Sequence, residues 1–439
     1  MDNKRRTLIK YVVPSMLSMV SVFLFTVIDG IFVGRGVGTD ALGAVNIVFP
    51  LEMIFSALIM LVTIGGMTIT AIMSGKKDEE KANQAFMHSF VLVLIISTGM
   101  TIVGTVFTAP ICRMLGANDI FLKLTCDYQF WYSVFYIPSG MMMAFNAYVR
   151  NDGDPVLVSA ATIISTGANI FGDWLFIFPL KMGLSGAAIA TGLSQLLAFL
   201  IVLTHFLHKK GILRIKRFKW DTSLIKKIFL RGLPECISQF SVPVSTIVTN
   251  HVLINTLGET GVNTYSLIAY VASFSIAILL GTAEGLQPLF GYTYGARLEK
   301  ELAYFFRRGM LISVAGSAIM FIILLIVGPG ICELFSVTQE TMEMTIPAFP
   351  LYSWGFVATA PNVMISAYLY STTRTKEAVI INILRSFVVN IAVIILVPLL
   401  FGSDSVWLTY GIYESVVAVI AFVLLRRADK YGACAGADY

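Results

Sequence analysis

Asn169 and Asp173 lie four residues apart in an apolar run that extends from Pro155 to Pro179. One helical turn separates them, so in a helix their oxygens point the same way. A carboxylate inside hydrocarbon costs ~2.5–3.5 kcal/mol on insertion scales, so Asp173 needs a partner, a cavity or a function. Two candidates, Asp29 and Thr191, share its expected depth. With a rise of ~1.5 Å per residue, Asp29, Asp173 and Thr191 all fall ~8–11 Å below the outer surface, and Asn169 lies one turn deeper. Two carboxylates brought together resist being ionised at once and so bind a proton, while oxygen-only ligands also suit a hard cation such as Na⁺.

The elements that must position these residues are membrane spans. Of 439 residues, 57% are hydrophobic and only 13% charged, with a mean hydropathy of +0.81; soluble domains carry about 25% charged residues. Twelve apolar segments can be counted, near 8–34, 42–74, 83–109, 124–149, 156–180, 184–207, 224–256, 262–294, 302–328, 343–372, 377–401 and 405–425. Pro14, Pro50, Pro138, Pro243, Pro288 and Pro361 fall inside them and are candidate bends. Placing the N-terminus in the cytoplasm puts 27 of the 31 basic residues on the inner side and leaves Arg35, Arg113, Lys123 and Lys181 outside. A miscounted span would scramble that split. Both termini are therefore expected in the cytoplasm. Lys4, Arg5 and Arg6 precede a first span without a small-residue cleavage site, so that span is expected to be retained. Five cysteines (Cys112, Cys126, Cys236, Cys332, Cys434) are scattered without metal or disulfide spacing.

The chain repeats itself. Gly66-Met67 with Ser74-Gly75 and the charged run after it parallels Gly285-Leu286 with Tyr294-Gly295. Val45-Asn46 recurs as Val262-Asn263, Ile111-Cys112 as Ile331-Cys332, Ala147-Tyr148 as Ala367-Tyr368, Asn169-Ile170 as Asn390-Ile391 and Gly192 as Gly411. Offsets between 217 and 221 along the whole length mark a duplicated six-span unit. Six is even, so both copies cross in the same sense. The expected fold is an all-α integral membrane protein of twelve transmembrane helices, in two six-helix lobes related by a pseudo-twofold axis along the membrane normal. The expected divisions are an N-terminal lobe over 1–208 with the cation site, a basic cytoplasmic linker over 209–223, a C-terminal lobe over 224–427 and a cytoplasmic tail over 428–439. On the repeat register Asp173 falls opposite Ile394 and Asn169 opposite Asn390, Asp29 roughly opposite Thr249, and Thr191 opposite Tyr410. The two carboxylates belong to the first copy alone.

With Ile28-Asp29-Gly30-Ile31-Phe32-Val33-Gly34-Arg35, Asn169-x3-Asp173, Thr191 and Gly285-Leu286-Gln287-Pro288-Leu289, the chain resembles the multidrug and toxic compound extrusion (MATE) transporters over roughly residues 8–425. Within them it is most similar to the branch of DinF-like and MepA-like exporters. The resemblance implies a non-enzymatic antiporter in the cytoplasmic membrane that exports cationic amphipathic compounds in exchange for H⁺ or Na⁺, without a cofactor. It carries the cation site onto Asp29, Asn169, Asp173 and Thr191, which would also be the Na⁺ ligands, and adds a hydroxyl at Ser139. An acid that another branch places further along span seven is missing here, where the chain reads Gln239-Phe240-Ser241-Val242.

Other polar residues are weighed against plainer roles. Glu284 and Glu235 would draw a cationic substrate inward, or else pair with Arg385 or a backbone group. Glu52 and Glu414 are read as hydrogen-bonded between helices, and His251 as a packing histidine; His88, His205 and His208 are read as interfacial. Met142 and Tyr136 are candidates for a plastic substrate pocket, since Met and aromatic surfaces repack around varied ligands. Asn151-Asp152-Gly153-Asp154-Pro155 reads as a turn, because a metal-binding enzyme motif would need a second acidic cluster that Lys76–Lys81 does not supply. The alternative is a lipid-linked saccharide flippase of related fold; it would need a cationic cavity, whereas Arg385 is the one intramembrane base. Small cationic molecules and the bilayer are the expected partners, with no nucleic acid, for a monomeric protein. A cysteine introduced at Lys181 is expected to react with an impermeant maleimide in intact cells, and one at Lys76 only after permeabilisation; the reverse pattern would overturn the orientation.

Overall fold

The computed structural model describes residues 2–117, 122–334 and 339–430; Cys434 and the end of the expected tail lie outside these. No strand occurs among them. The chain forms two compact units, Met1–Cys236 and Ile237–Tyr439.

In the first unit, spans one to three are α1 (Asp2–Gly36), α2 (Thr39–Gly75) and α3 (Glu79–Val106), followed by a short α4 (Thr108–Met114). Span four is broken into α5 (Leu122–Val134) and α6 (Tyr136–Asn151), and spans five and six are α7 (Pro155–Ile177) and α8 (Gly183–Leu207). Then come α9 (Thr222–Gln239) and α10 (Ser241–Thr256), the two halves of span seven, with the boundary between units inside α9. The second unit continues with α11 (Gly258–Gly295), α12 (Glu299–Leu334), the broken pair α13 (Gln339–Ser353) and α14 (Gly355–Ser371), and then α15 (Thr375–Ile383). A π-helical turn over Leu384–Val388 joins α15 to α16 (Val389–Phe401), and α17 (Thr409–Lys430) follows a 3₁₀ turn. Among the described residues nine helices are long and apolar enough to cross a bilayer singly. The other three spans are the broken pairs.

Two of these breaks have a covalent cause. A proline ring clashes with the carbonyl four residues earlier. Counting back from Pro138 gives Val134, the last residue of α5, and from Pro243 gives Gln239, the last of α9. Pro14, Pro50, Pro288 and Pro361 lie within unbroken helices. The third break, at Trp354, has no such proline.

The backbone repeats more sharply than the sequence does. Gly38 and Gly258, Lys77 and Arg297, and Gly153 and Thr373 all adopt positive φ, and each pair is 220 residues apart. That register replaces the 217 offset of the Val45-Asn46 match, because α2 and α11 end at Gly75 and Gly295. The ring contact of Phe86 with Tyr148, centroids 4.9 Å apart, recurs between Phe306 and Tyr368 at 4.6 Å, edge-on in the first pair and tilted in the second. At the breaks, a side chain on Gly192 would strike the ring of Phe135, and one on Gly411 the ring of Trp354. Each unit thus seats the aromatic residue of its interrupted span in a glycine notch of its sixth helix.

The polar loops act as fasteners. Asp78 caps α3 by accepting from Lys81 N at 3.1 Å, and this backbone bond, with the Lys81 side chain, holds its carboxyl below the usual carboxylate range. The Asp152–Pro155 stretch is a turn, with Asp154 capping α7. Asp152 does more: it accepts from Ile212 N at 2.9 Å, Leu213 N at 3.2 Å and the imidazole of His205 at 2.9 Å. Both His205 and His88 are buried rather than interfacial. His88 receives Asp221 N at 2.8 Å, so the 209–223 linker is tied to the first unit at both ends. Gly192→Ala should cost ~1–3 kcal/mol through overpacking against Phe135. Thermal unfolding in detergent should show the loss, and Phe135→Leu in the same chain should recover part of it.

Candidate functional site: a carboxyl pair inside the first unit

Asp29, Asn169, Asp173 and Thr191 converge as their depths predict. α7 packs between α1 and α8. On the α8 side the close approach is made at Gly172, where a side chain would meet Ala190, and Ser165 donates to the Ser194 carbonyl at 2.7 Å. On the α1 side, Ser18 and Ser159 share a hydrogen bond of 2.9 Å. Small residues and hydroxyls allow such contacts where no hydrophobic force draws helices together.

These contacts place Asp29 of α1 against Asp173 of α7, with their carboxyl groups interacting directly. Asn169 Nδ2 donates to Thr191 Oγ1 at 3.3 Å. Asp173 is 0% exposed and Asn169 1%. Among the described residues, no protein donor reaches Asp173 Oδ1 or Oδ2, Asp29 Oδ1 or Asn169 Oδ1. Four oxygen acceptors therefore meet in a buried place without a protein hydrogen to share. Orphaned acceptors of this kind are costly unless something satisfies them. A proton between the carboxyls, or a hard cation with oxygen ligands, fits this donor set.

Ser139 takes a different place. Its hydroxyl bonds the Phe135 carbonyl at 2.7 Å and Gln195 Oε1. Gln195 also bonds Tyr132, which bonds Glu52; Tyr136, fully buried, donates to Glu52 Oε1 at 2.8 Å. This second network adjoins the carboxyl pair through Tyr128, whose ring centroid lies 5.6 Å from that of Tyr132 and which is within electrostatic reach of Asp29 and Asp173. Tyr128, Tyr132 and Gln195 are absent from the sequence-derived set. The signal for the tyrosines was the four-residue spacing of Tyr128, Tyr132 and Tyr136, which puts them on one helical face.

Of the remaining candidates, Met142 accepts from Asn146 Nδ2 at 3.1 Å through its sulfur and is half-buried. Glu235 and Glu284 are half-buried with interactions of their own. Arg385 pairs with Glu414, at 2.9 and 3.1 Å, not with either of them. Glu414 is 1% exposed and also receives Asn362 Nδ2 at 2.7 Å.

The second unit lacks the carboxyl pair. Ile394 is buried in an apolar cluster with Trp407 and Tyr410, and Tyr410 stacks on Tyr352 at 4.6 Å. Asn390 bonds Ser245 at 3.5 Å. The asymmetry in the sequence is an asymmetry of polarity in space.

A two-unit, twelve-span helical fold with a buried carboxyl pair in one unit defines a membrane transporter, not an enzyme. The MatE family model matches residues 14–175 and again 234–396, and the chain belongs to that family. The two matches start 220 residues apart, the register of the backbone repeat. The chain is 23% identical to the multidrug export protein MepA of Staphylococcus haemolyticus over 429 residues, covering 96% of this chain and 93% of that one. A Staphylococcus aureus MepA matches at 23% over 436 residues, again covering 96% and 93%. Among solved structures, an outward-facing multidrug resistance MATE transporter superposes with a TM-score of 0.92 at 25% identity, covering 97% of this chain and 96% of that one. A MATE crystallised with MaD3S superposes with a TM-score of 0.91, also at 25% and with the same coverage.

Because Glu414 is compensated by Arg385, removing the acid leaves a buried guanidinium unanswered. Glu414→Ala should destabilise by ~3–5 kcal/mol. Arg385→Met combined with Glu414→Met should cost much less, as read by thermal unfolding in detergent.

Proposed function

We propose that this protein is an antiporter in the cytoplasmic membrane that exports cationic amphipathic compounds in exchange for H⁺ or Na⁺ bound at Asp29 and Asp173. The reading rests on the buried carboxyl pair and the acceptor oxygens around it that find no donor among the described residues. A proton or Na⁺ there removes the repulsion between the carboxyls and lets α1, α7 and α8 pack as one group. Without it, the pair favours an arrangement that admits water. Asn169 and Thr191 supply further oxygens and set the size of the site.

Exchange follows if the ion stabilises one arrangement of the unit and the substrate the other, since a ligand shifts an equilibrium only by its differential affinity. The export of varied compounds is carried over from the MepA relatives, which are multidrug export proteins by name. The sign of the cargo is argued from charge. Asp29, Asp173 and Glu52 are the uncompensated acids of the first unit's interior, and Arg385 is already paired.

Asp173→Asn should reduce gradient-driven efflux of a fluorescent cation from reconstituted vesicles to the level of empty vesicles, with unfolding temperature unchanged. Proton and sodium gradients imposed separately identify the ion. Wild-type efflux by the folded variant would overturn the site.

A further inference from the structure

Glu52 is an acid that the proposed ion site does not use. It lies on α2, inside the span, and its carboxyl receives the hydroxyls of Tyr136, at 2.8 Å, and Tyr132. Among the described residues no cationic side chain pairs with it, in contrast to Glu414, whose charge Arg385 answers at 2.9 Å. An acid in hydrocarbon without a counter-ion is costly when ionised. Its partners, however, suit either charge state. A phenol hydroxyl donates to a carboxylate and, after rotation about its C–O bond, accepts from a carboxylic acid. One phenol has somewhere else to turn: Tyr132 also bonds Gln195, so it can donate there and accept from the protonated acid. Tyr136, which accepts from Gln129 Nε2 at 3.3 Å, keeps donating to the other carboxyl oxygen. Protonating Glu52 therefore leaves no donor or acceptor stranded.

The same tyrosines lead to the carboxyl pair. Tyr128, Tyr132 and Tyr136 follow one another at four-residue spacing across the break at Phe135, with ring centroids 5.6 and 5.9 Å apart. At one end Tyr128 faces Asp29 and Asp173; at the other Tyr136 holds Glu52. The titratable groups around Glu52 are Tyr128 and Tyr132 of α5, Tyr136 of α6 and, beyond the tyrosines, Asp29 of α1.

We propose that Glu52 is a second proton-binding carboxyl of the first unit, joined to the Asp29/Asp173 pair by the face of Tyr128, Tyr132 and Tyr136. One transport cycle then carries one proton more than the carboxyl pair alone accounts for. The proton is taken up on a Glu52 carboxylate oxygen on one side of the membrane and released from it on the other; no bond other than O–H changes. This rests on the antiport reading above, and the measurements separate the two.

The full chain in vesicles, with ethidium as the transported cation, should show one proton fewer per ethidium in Glu52→Gln than in the wild type, with efflux persisting. An unchanged ratio would overturn the proposal while leaving the Asp173 site in place. Infrared difference spectra across a pH titration test the protonation without transport. A carboxylic acid C=O band should vanish in Glu52→Gln, persist but shift in Tyr132→Phe and Tyr136→Phe, and be distinct from the band lost in Asp173→Asn. If the wild type moves ethidium without proton or sodium dependence, the antiport reading fails, and the infrared titration still decides Glu52. A spectrum in which Glu52→Gln removes no titrating band overturns it. Should Glu52→Gln fold poorly, the two tyrosine variants, which keep the acid, carry the same infrared test.

Discussion

A carboxylate inside a bilayer must be answered by something, and the two units answer it differently. In the second unit the answer is an ion pair built into the chain: Arg385, on its π-helical turn, holds Glu414 at 2.9 Å, and Asn362 also bonds the acid. In the first unit Asp29 and Asp173 answer each other with the wrong sign, and among the described residues no protein donor reaches either Asp173 oxygen or Asp29 Oδ1. On the proposed antiport reading, a partner that can leave is then part of the stable structure. That is the physical difference between a brace and a switch.

Duplication makes the difference visible. The units share the break in their fourth span, their glycine notches and several left-handed loop residues at a register of 219 to 220, whereas the break in span seven has no counterpart in α1. On that scaffold Gln195 of the first unit stands where Glu414 stands in the second, three residues after the glycine that seats the aromatic plug in each. Gln195 bonds Ser139 and Tyr132; Glu414 bonds Arg385 and Asn362. The same hub position thus serves a neutral, hydroxyl-rich network in one unit and an ion pair in the other. Where Asp173 sits in the first unit, Ile394 is packed into apolar core in the second.

Much of this was legible before any coordinates. Asp173 announced itself by the cost of an acid in an apolar helix, and Asn169 and Thr191 by spacing and depth. Spans were legible because hydropathy and loop charge report the bilayer directly. The breaks in spans four and seven were half-legible: Pro138 and Pro243 mark them, but four other span prolines mark none, since neighbouring groups can satisfy a freed carbonyl. The pairing of Arg385 with Glu414 was not legible, because 29 residues and a π-helical turn separate them and hydropathy carries no azimuth. Nor was the burial of His205. Its partner Asp152 sits in a turn that reads as solvent-facing, and only the folded linker covers it.

The tyrosine face shows why composition misleads in such a helix. Tyr128, Tyr132 and Tyr136 count as apolar bulk in any hydropathy window, and their rings do pack, Tyr136 against Phe55 at 4.3 Å. The hydroxyls of Tyr132 and Tyr136, though, bond Glu52, and Tyr128 lies within electrostatic reach of the Asp29–Asp173 pair. A phenylalanine at each place would fill the same volume and leave Glu52 without a donor. A tyrosine at these positions is therefore explained by the acid it reaches and not by the space it fills. The interior acids of the first unit thus lie along one tyrosine face, which is hydrogen-bonded to Glu52 and within electrostatic reach of Asp29 and Asp173.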